Sequence, residues 1–188
     1  MALRTIVGFS GNLARPSRTR TLVEAVTAAA ANRLLLEPSV HDLEDLAPSL
    51  GSARRLSDLD IGARAVVEAI LVADLLVIGS PTYKGSYTGL FKHLLDLLDP
   101  ATLAGKPIIL TATGGSDRHA LIIEHQLRPL FGFFAAHTAP TGIYATDRDF
   151  ENGRITSAQV RQRIDQSIVE AGRLLPNLGS SAVLLAAE

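Results

Sequence analysis

The chain has no cysteine, no tryptophan and a single methionine in 188 residues. Without cysteine, disulfides, thiolate metal sites and cysteine nucleophiles are all excluded. Neither charge is in excess: 18 Lys and Arg stand against 19 Asp and Glu, a net charge of -1. That balance argues against binding nucleic acid by neutralising phosphates. No apolar run reaches the about 18 residues that a membrane span needs. The opening MALRTIVGFSGN has no long apolar core behind a basic segment, so it does not read as a signal peptide. The expectation is a cytoplasmic protein with no nucleic acid and no membrane among its partners. Several chemical signatures are missing as well. His41, His93, His119, His125 and His137 show neither H-x-H nor H-E-x-x-H spacing, so no metal site is expected. No serine sits in G-x-S-x-G, which removes the usual hydrolase reading.

What is present is a foldable core. Hydrophobic residues make up 47% of the chain and charged residues 20%, enough for one globular domain. Short apolar runs at 5–9 (TIVGF), 74–80 (DLLVIGS) and 106–113 (KPIILTAT) do not alternate strictly. They suit strands covered on both faces in a parallel sheet. A weaker run at 34–43 contains Pro38 and reads as an edge strand; a fifth, 136–144, is interrupted by Pro and Gly. Helical patterns separate them. A first helix is entered at Ser17–Thr21, and a second has Ser57 with Asp60 at its start and Ile61, Ala65, Ala69 and Ile70 on its stripe. Residues 88–98 are apolar on more than one side, and a last helix is capped by Thr156 with Gln159. The alternation predicts an α/β fold, an open doubly wound five-stranded parallel sheet with helices on both faces. Residues 1–176 read as that domain. The tail 177–188 reads as a flexible terminus or as a segment packing on another subunit.

Open parallel sheets bind ligands beyond the carboxyl ends of their strands. Three such exits stand out. The first, SGNLARPSRTRT, carries Ser10, Ser17, Thr19 and Thr21 with Arg15, Arg18 and Arg20 between them, and leads into a helix. A helix N-terminus offers free N–H groups and partial positive charge, which suits a phosphate; an ordinary polar loop with N-caps is the other reading. The loop is neither G-x-x-x-x-G-K-[ST] nor G-x-G-x-x-G, so it is not a Walker loop and a classical dinucleotide-binding fold is disfavoured. The second exit is PTYKGSYTG from Pro81, and the third is TGGSDRH from Thr113. Their glycines let a flat ligand approach closely. One loop for phosphate and two for a planar ring suit a mononucleotide with a large ring system, for which FMN is the natural candidate.

The same residues carry a family likeness. Ser10, Arg15, Ser17 and Thr19 echo G-S-x-R-x-x-S-x-S/T, with extra residues between Ser10 and Ser17. Pro81, Tyr83, Gly89 and Lys92 match P-x-Y-x-x-x-x-x-G-x-x-K, the most specific of the three motifs, and Ala112–Gly115 matches A-T-G-G. Over residues 5 to about 145 the chain resembles the NAD(P)H-dependent FMN reductases of the flavodoxin-like superfamily. It is most similar to the flavin reductases of two-component alkanesulfonate or methanesulfonate monooxygenases. The resemblance implies hydride transfer from NADPH or NADH to FMN, and reduced flavin delivered to a partner monooxygenase. It also implies a homo-oligomer, dimer or tetramer. A quinone, azo or metal-oxyanion reductase with bound FMN, or a non-enzymatic electron carrier, is the alternative.

On this reading the flavin site comprises Ser10, Arg15, Ser17, Arg18, Thr19, Pro81, Thr82, Tyr83, Lys84, Gly85, Ser86, Thr113, Gly114 and Gly115. Amides near Thr82–Gly85 would bond the ring's polar edge, Tyr83 would pack beside it, and Ser86 would reach a polar atom or cap the next helix. No protein acid, base or nucleophile is required. His125, in EHQLRPLFGFF, falls where such reductases carry a one-residue insertion that forms a π-helix at a subunit interface, and it is the candidate gate. Pro129 has no N–H for the His125 carbonyl, which a π turn would relieve. On geometry alone, a kink or a later helix start is the favoured outcome.

Overall fold

The computed structural model describes residues 4–175. The tail expectation for 177–188 lies outside them. The main sheet is parallel throughout and is built from β1 (Thr5–Ser10), β2 (Glu37–Asp42), β3 (Leu75–Pro81) and β4 (Pro107–Gly114), followed by the short β5 (His137–Thr138) and β6 (Ile143–Thr146). The sheet order is β2–β1–β3–β4–β5, with β6 also pairing β4. β5 runs beside Pro107 and Ile108, and β6 beside Thr111–Gly114, so the two short strands share the fifth position on either side of an interruption at Pro140 and Gly142. β2, with its Pro38, is the edge, as its proline requires. A separate hairpin joins β7 (Phe150–Glu151) to β8 (Arg154–Ile155).

Both faces of the sheet are covered. α1 (Arg18–Leu34) and α5 (Ala158–Leu174) lie on one side, over Ile6, Leu75, Val77 and Ile109. On the other, α2 (Ile61–Val72), α3 (Gly89–Asp96) and α4 (Arg128–Phe133) cover Val7, Phe9, Leu76, Ile78, Ile108 and Leu110. The strict alternation of these strand residues between two cores explains why the apolar runs show no polar face. Gly8 and Gly79 point toward α1, where an added Cβ would overlap Thr27 and Val23. Their missing side chains let α1 lie close on the sheet, and so fix its N-terminus at the sheet's carboxyl rim.

Two local readings are corrected, and a third is decided between its alternatives. α2 is capped by Asp60, whose side chain accepts from the Ala63 amide, and its buried stripe is Ala63, Val66, Val67 and Ile70. Only Ile70 belongs to the expected stripe, and Ile61 is exposed. The helix is apolar almost all round, so composition alone did not select the buried face. The cap of α5 is Ser157, bonding the Val160 amide, rather than Thr156. Residues Ile123–Leu127 form a π segment, in which the Arg128 amide donates to the Ile123 carbonyl. The π turn at His125 that the family likeness implies is the one that forms before Pro129, and the kink favoured on local geometry does not.

Candidate active site

The carboxyl ends of β1, β3, β4 and β6 surround a cleft of about 560 Å³. At one end stands the first turn of α1. Ser17 is its N-cap, accepting from the Arg20 amide, and no acidic residue lies in that turn. Ser17, Arg18, Thr19 and Thr21 all line the cleft. The Thr19 and Thr113 hydroxyls are 2.6 Å apart in a buried hydrogen bond, which ties the helix start to the end of β4. A cationic, hydroxyl-bearing helix start of this kind is suited to an anion.

The loop leading into α1 is braced from beneath. Gly11 donates its N–H to the Gly79 carbonyl at 2.7 Å and accepts from the Thr88 hydroxyl at 2.8 Å. Strand register places Asp42 beside Ser10. The fully buried Asp42 accepts two hydrogen bonds from Arg15, at 2.8 and 2.7 Å, one from Arg20 at 2.8 Å and one from Asn12 at 3.2 Å. Asp45 adds a second carboxylate to Arg15 at 2.7 Å. Burial alone would raise the Asp42 carboxyl, but the hydrogen bonds from Arg15, Arg20 and Asn12 hold it down at about 2. Those two hydrogen-bonding carboxylates in turn raise Arg15.

The wall at β3 is a tight turn. Tyr83 and Ser86 pair through both backbone bonds, at 2.8 and 3.1 Å, around Lys84 (φ 52°) and Gly85 (φ 84°). Positive φ at both central positions is the type I′ hairpin geometry, and only Gly85 takes it without side-chain strain. Pro81, Thr82 and Tyr83 line the cleft. The second wall is Thr113, Gly114 and Gly115, at the end of the neighbouring β4. Tyr144, from β6, donates its hydroxyl to the Ser116 carbonyl at 2.7 Å and occupies the space where a Gly114 side chain would stand. Burial raises the Tyr144 phenol, so it stays a protonated donor at neutral pH.

Several expected site residues are placed differently. Ser10 is fully buried and does not line the cleft. Arg15 turns away from it, because Asp42 and Asp45 capture its guanidinium. Among the Thr82–Gly85 amides, Thr82 donates to the Thr113 carbonyl at 2.7 Å and Tyr83 to Ser86, so ring-edge donors on this turn reduce to Lys84 and Gly85. Lys84, Gly85 and Ser86 lie beyond the lining residues. Ser86 does not cap α3; its hydroxyl bonds Gln126 of the π segment at 3.1 Å. His125 lines a separate groove of about 660 Å³ with Tyr87, Leu95 and Phe133 and is not among the residues that line the cleft.

Asn12, Leu13, Ala14, Pro16 and Thr21, all on the first exit, line the cleft beside the expected residues, and two further lining residues lie outside the three exits. Asp147 follows β6 directly, at the fourth strand end on the same rim, beyond the end of the apolar run at 136–144. Gly153 is the tip of the β7–β8 hairpin, where Asn152 (φ 50°) and Gly153 (φ 72°) make another type I′ turn. The Asn–Gly pair was a readable signal for it. Among the described residues no group of three or more His, Cys, Asp or Glu side chains could hold a metal ion, and no helix is long and apolar enough to cross a membrane.

A doubly wound sheet with an anion-suited helix start and a glycine-walled cleft at one rim defines the flavodoxin-like class. The model of NADPH-dependent FMN reductases matches residues 4–151, and the chain belongs to that family. It is an oxidoreductase that reduces FMN with a nicotinamide nucleotide. It is 47% identical over 159 residues to the NADH-dependent FMN reductase SfnF of Pseudomonas fluorescens, covering 85% of each chain. With an FMN reductase (NADPH) of Pseudomonas aeruginosa the identity is 44% over 180 residues, 96% of this chain and 95% of that one. Among solved structures, an oxidoreductase from Corynebacterium diphtheriae superposes with a TM-score of 0.84 at 32% identity, over 94% of this chain and 99% of that one. The apo form of an NADH:FMN oxidoreductase, EmoB, gives 0.78 at 29% identity, over 95% and 93%.

Proposed function

We propose that this chain binds FMN with its phosphate at the start of α1 and its ring between Tyr83 and Gly114–Gly115, and that the reduced flavin serves a partner monooxygenase. The observation that carries the reading is the union of an acid-free helix start with two walls open to a flat ring. The fit is supported at Gly115, where a Cβ would meet nothing within 4 Å and would narrow the cleft. Ser17, Arg18 and Thr19 would hold the phosphate, and a ring edge that extends past the lining residue Tyr83 would meet the amides of Lys84 and Gly85. When bound, FMN accepts a hydride from NADPH or NADH and carries its electrons onward. The residues around it orient the two reactants and shield the face they share; none has to move a proton.

The partner is an FMNH2-dependent monooxygenase of the alkanesulfonate or methanesulfonate type, and the setting is the cytoplasm, where reduced nicotinamide is available. The motif at Pro81, Tyr83, Gly89 and Lys92 supports the first, and the likeness to an NADH-dependent FMN reductase supports the flavin-reducing half of that pairing. A homo-oligomer is supported by the groove beside the π segment and by Phe133, an aromatic that is 70% exposed on its rim. His125 would act there as a gate between subunits.

Anaerobic mixing with NADH or NADPH tests the reading. Bleaching of added FMN at a rate that saturates with flavin concentration is expected, with the flavin lost on desalting. Full nicotinamide oxidation without added flavin, by protein that keeps its colour, would favour a quinone, azo or metal-oxyanion reductase instead. A lack of nicotinamide oxidation would favour an electron carrier. Ser17→Ala should lower stability by about 1 kcal/mol through loss of the cap. It should also weaken FMN about tenfold, the equivalent of one charge-assisted hydrogen bond.

A further inference from the structure

Resting on the placement of the flavin phosphate at the start of α1, we infer that Asp147 is a competing counter-ion for Arg18 and keeps a phosphorylated flavin exchangeable. Arg18 is the first residue of α1, and its Nη1 lies 2.8 Å from the Asp147 carboxylate. Both line the cleft. The first turn of α1 carries no acid of its own, so this carboxylate is brought across from the end of β6. A phosphate monoester near neutral pH carries about -1.5 to -2 charges. Arriving at the helix start, it meets an arginine that already has a partner, and it meets that partner's negative charge as well.

The pair is built to yield rather than to lock. Its side chains are 58% and 57% exposed, and exposed ion pairs of this kind add little to stability. The carboxylate is nonetheless held in place independently of Arg18. Asp147–Asp149 is a short 3-10 turn closed by a capping box, in which Asp149 accepts from the Thr146 amide at 2.7 Å and hydroxyl at 2.8 Å. Arg148 then bridges to Asp117 at 2.6 Å. Removing the Asp147 charge therefore leaves its turn intact and frees Arg18 for the phosphate. The result is a site that selects phosphorylated flavin yet releases it, as an enzyme that treats flavin as a substrate requires.

The test is a fluorescence titration of FMN and of riboflavin into wild type, Asp147→Asn, Asp147→Ser and Ser17→Ala, at low and at physiological salt. Asp147→Asn and Asp147→Ser should each bind FMN about three- to tenfold more tightly at low salt, by slower dissociation, with the gain shrinking as salt screens it. Riboflavin affinity should not change. Unchanged or weaker FMN binding in both Asp147 variants, or equal tightening of riboflavin, would overturn the inference. If Ser17→Ala weakens FMN while the Asp147 variants match wild type, the inference alone fails. If Ser17→Ala also leaves FMN affinity unaltered, the phosphate placement itself is wrong.

Discussion

Asp42→Asn is expected to lower stability by about 3 kcal/mol and the unfolding midpoint by about 6–12 °C. It should also weaken FMN binding about tenfold, although Asp42 never reaches the cleft. Arg15, Arg20 and Asn12 converge on one buried carboxylate, and the amide left by the substitution cannot neutralise two guanidinium groups. Removing one partner of a buried pair strands the other charge. The loss lies at the low end of that range because Arg15 is 43% exposed and Asp45 still faces it. The second effect follows from the loop: Asn12 and Arg15 are anchored to Asp42, and the segment between them and Ser17 sets where the helix start stands. The pH dependence has a defined sign. The Asp42 carboxyl falls from 3.8 to about 2 on folding, so its contribution is complete above about pH 4 and is lost as pH falls through about 2. The stability gap between wild type and Asp42→Asn should therefore narrow across that window. A gap that is constant with pH would show that the carboxylate is not the source.

Gly115→Leu should do the reverse, leaving the fold intact and closing the site. FMN binding is expected to weaken by about a hundredfold or more, an equivalent of about 2.7 kcal/mol. Stability should stay within about 0.5 kcal/mol of wild type. Gly115 lines the cleft, its backbone does not take a left-handed conformation, and a Cβ there meets nothing within 4 Å. The leucine side chain has open space to enter, and that space is the one proposed for the ring. Gly114→Ala is the contrasting case, since its methyl group would collide with Tyr144 and disturb the bond to the Ser116 carbonyl. A Gly115→Leu protein that binds FMN normally would remove the ring from this wall.

Much of this architecture was legible in the chain. β1, β3 and β4 announce themselves as unbroken apolar runs because each is buried on both faces, and the ligand rim follows from their direction. Ser17 could be read as a helix start, and it is the N-cap of α1. What could not be read was the destination of the charged side chains. Arg15 fits a phosphate motif by spacing, but the register of β2 on β1 sets Asp42 beside Ser10 and draws the guanidinium away. Asp147 was missed because the fifth strand position is split, and the end of β6 reaches the rim two residues beyond the apparent strand. The π segment turned on a competition that local geometry does not decide. Pro129 denies the His125 carbonyl its ordinary partner, and a kink or a widened turn both relieve that. Tertiary packing of Ile123 and Leu127 in the core accompanies the widened turn.

A crystal structure of the protein grown with FMN tests the account most directly. It should show the phosphate within hydrogen-bond reach of Ser17 and Thr19, and the ring lying between Tyr83 and Gly114–Gly115. A flavin seated in the groove of Tyr87, His125 and Phe133, or one whose phosphate avoids the start of α1, would contradict it.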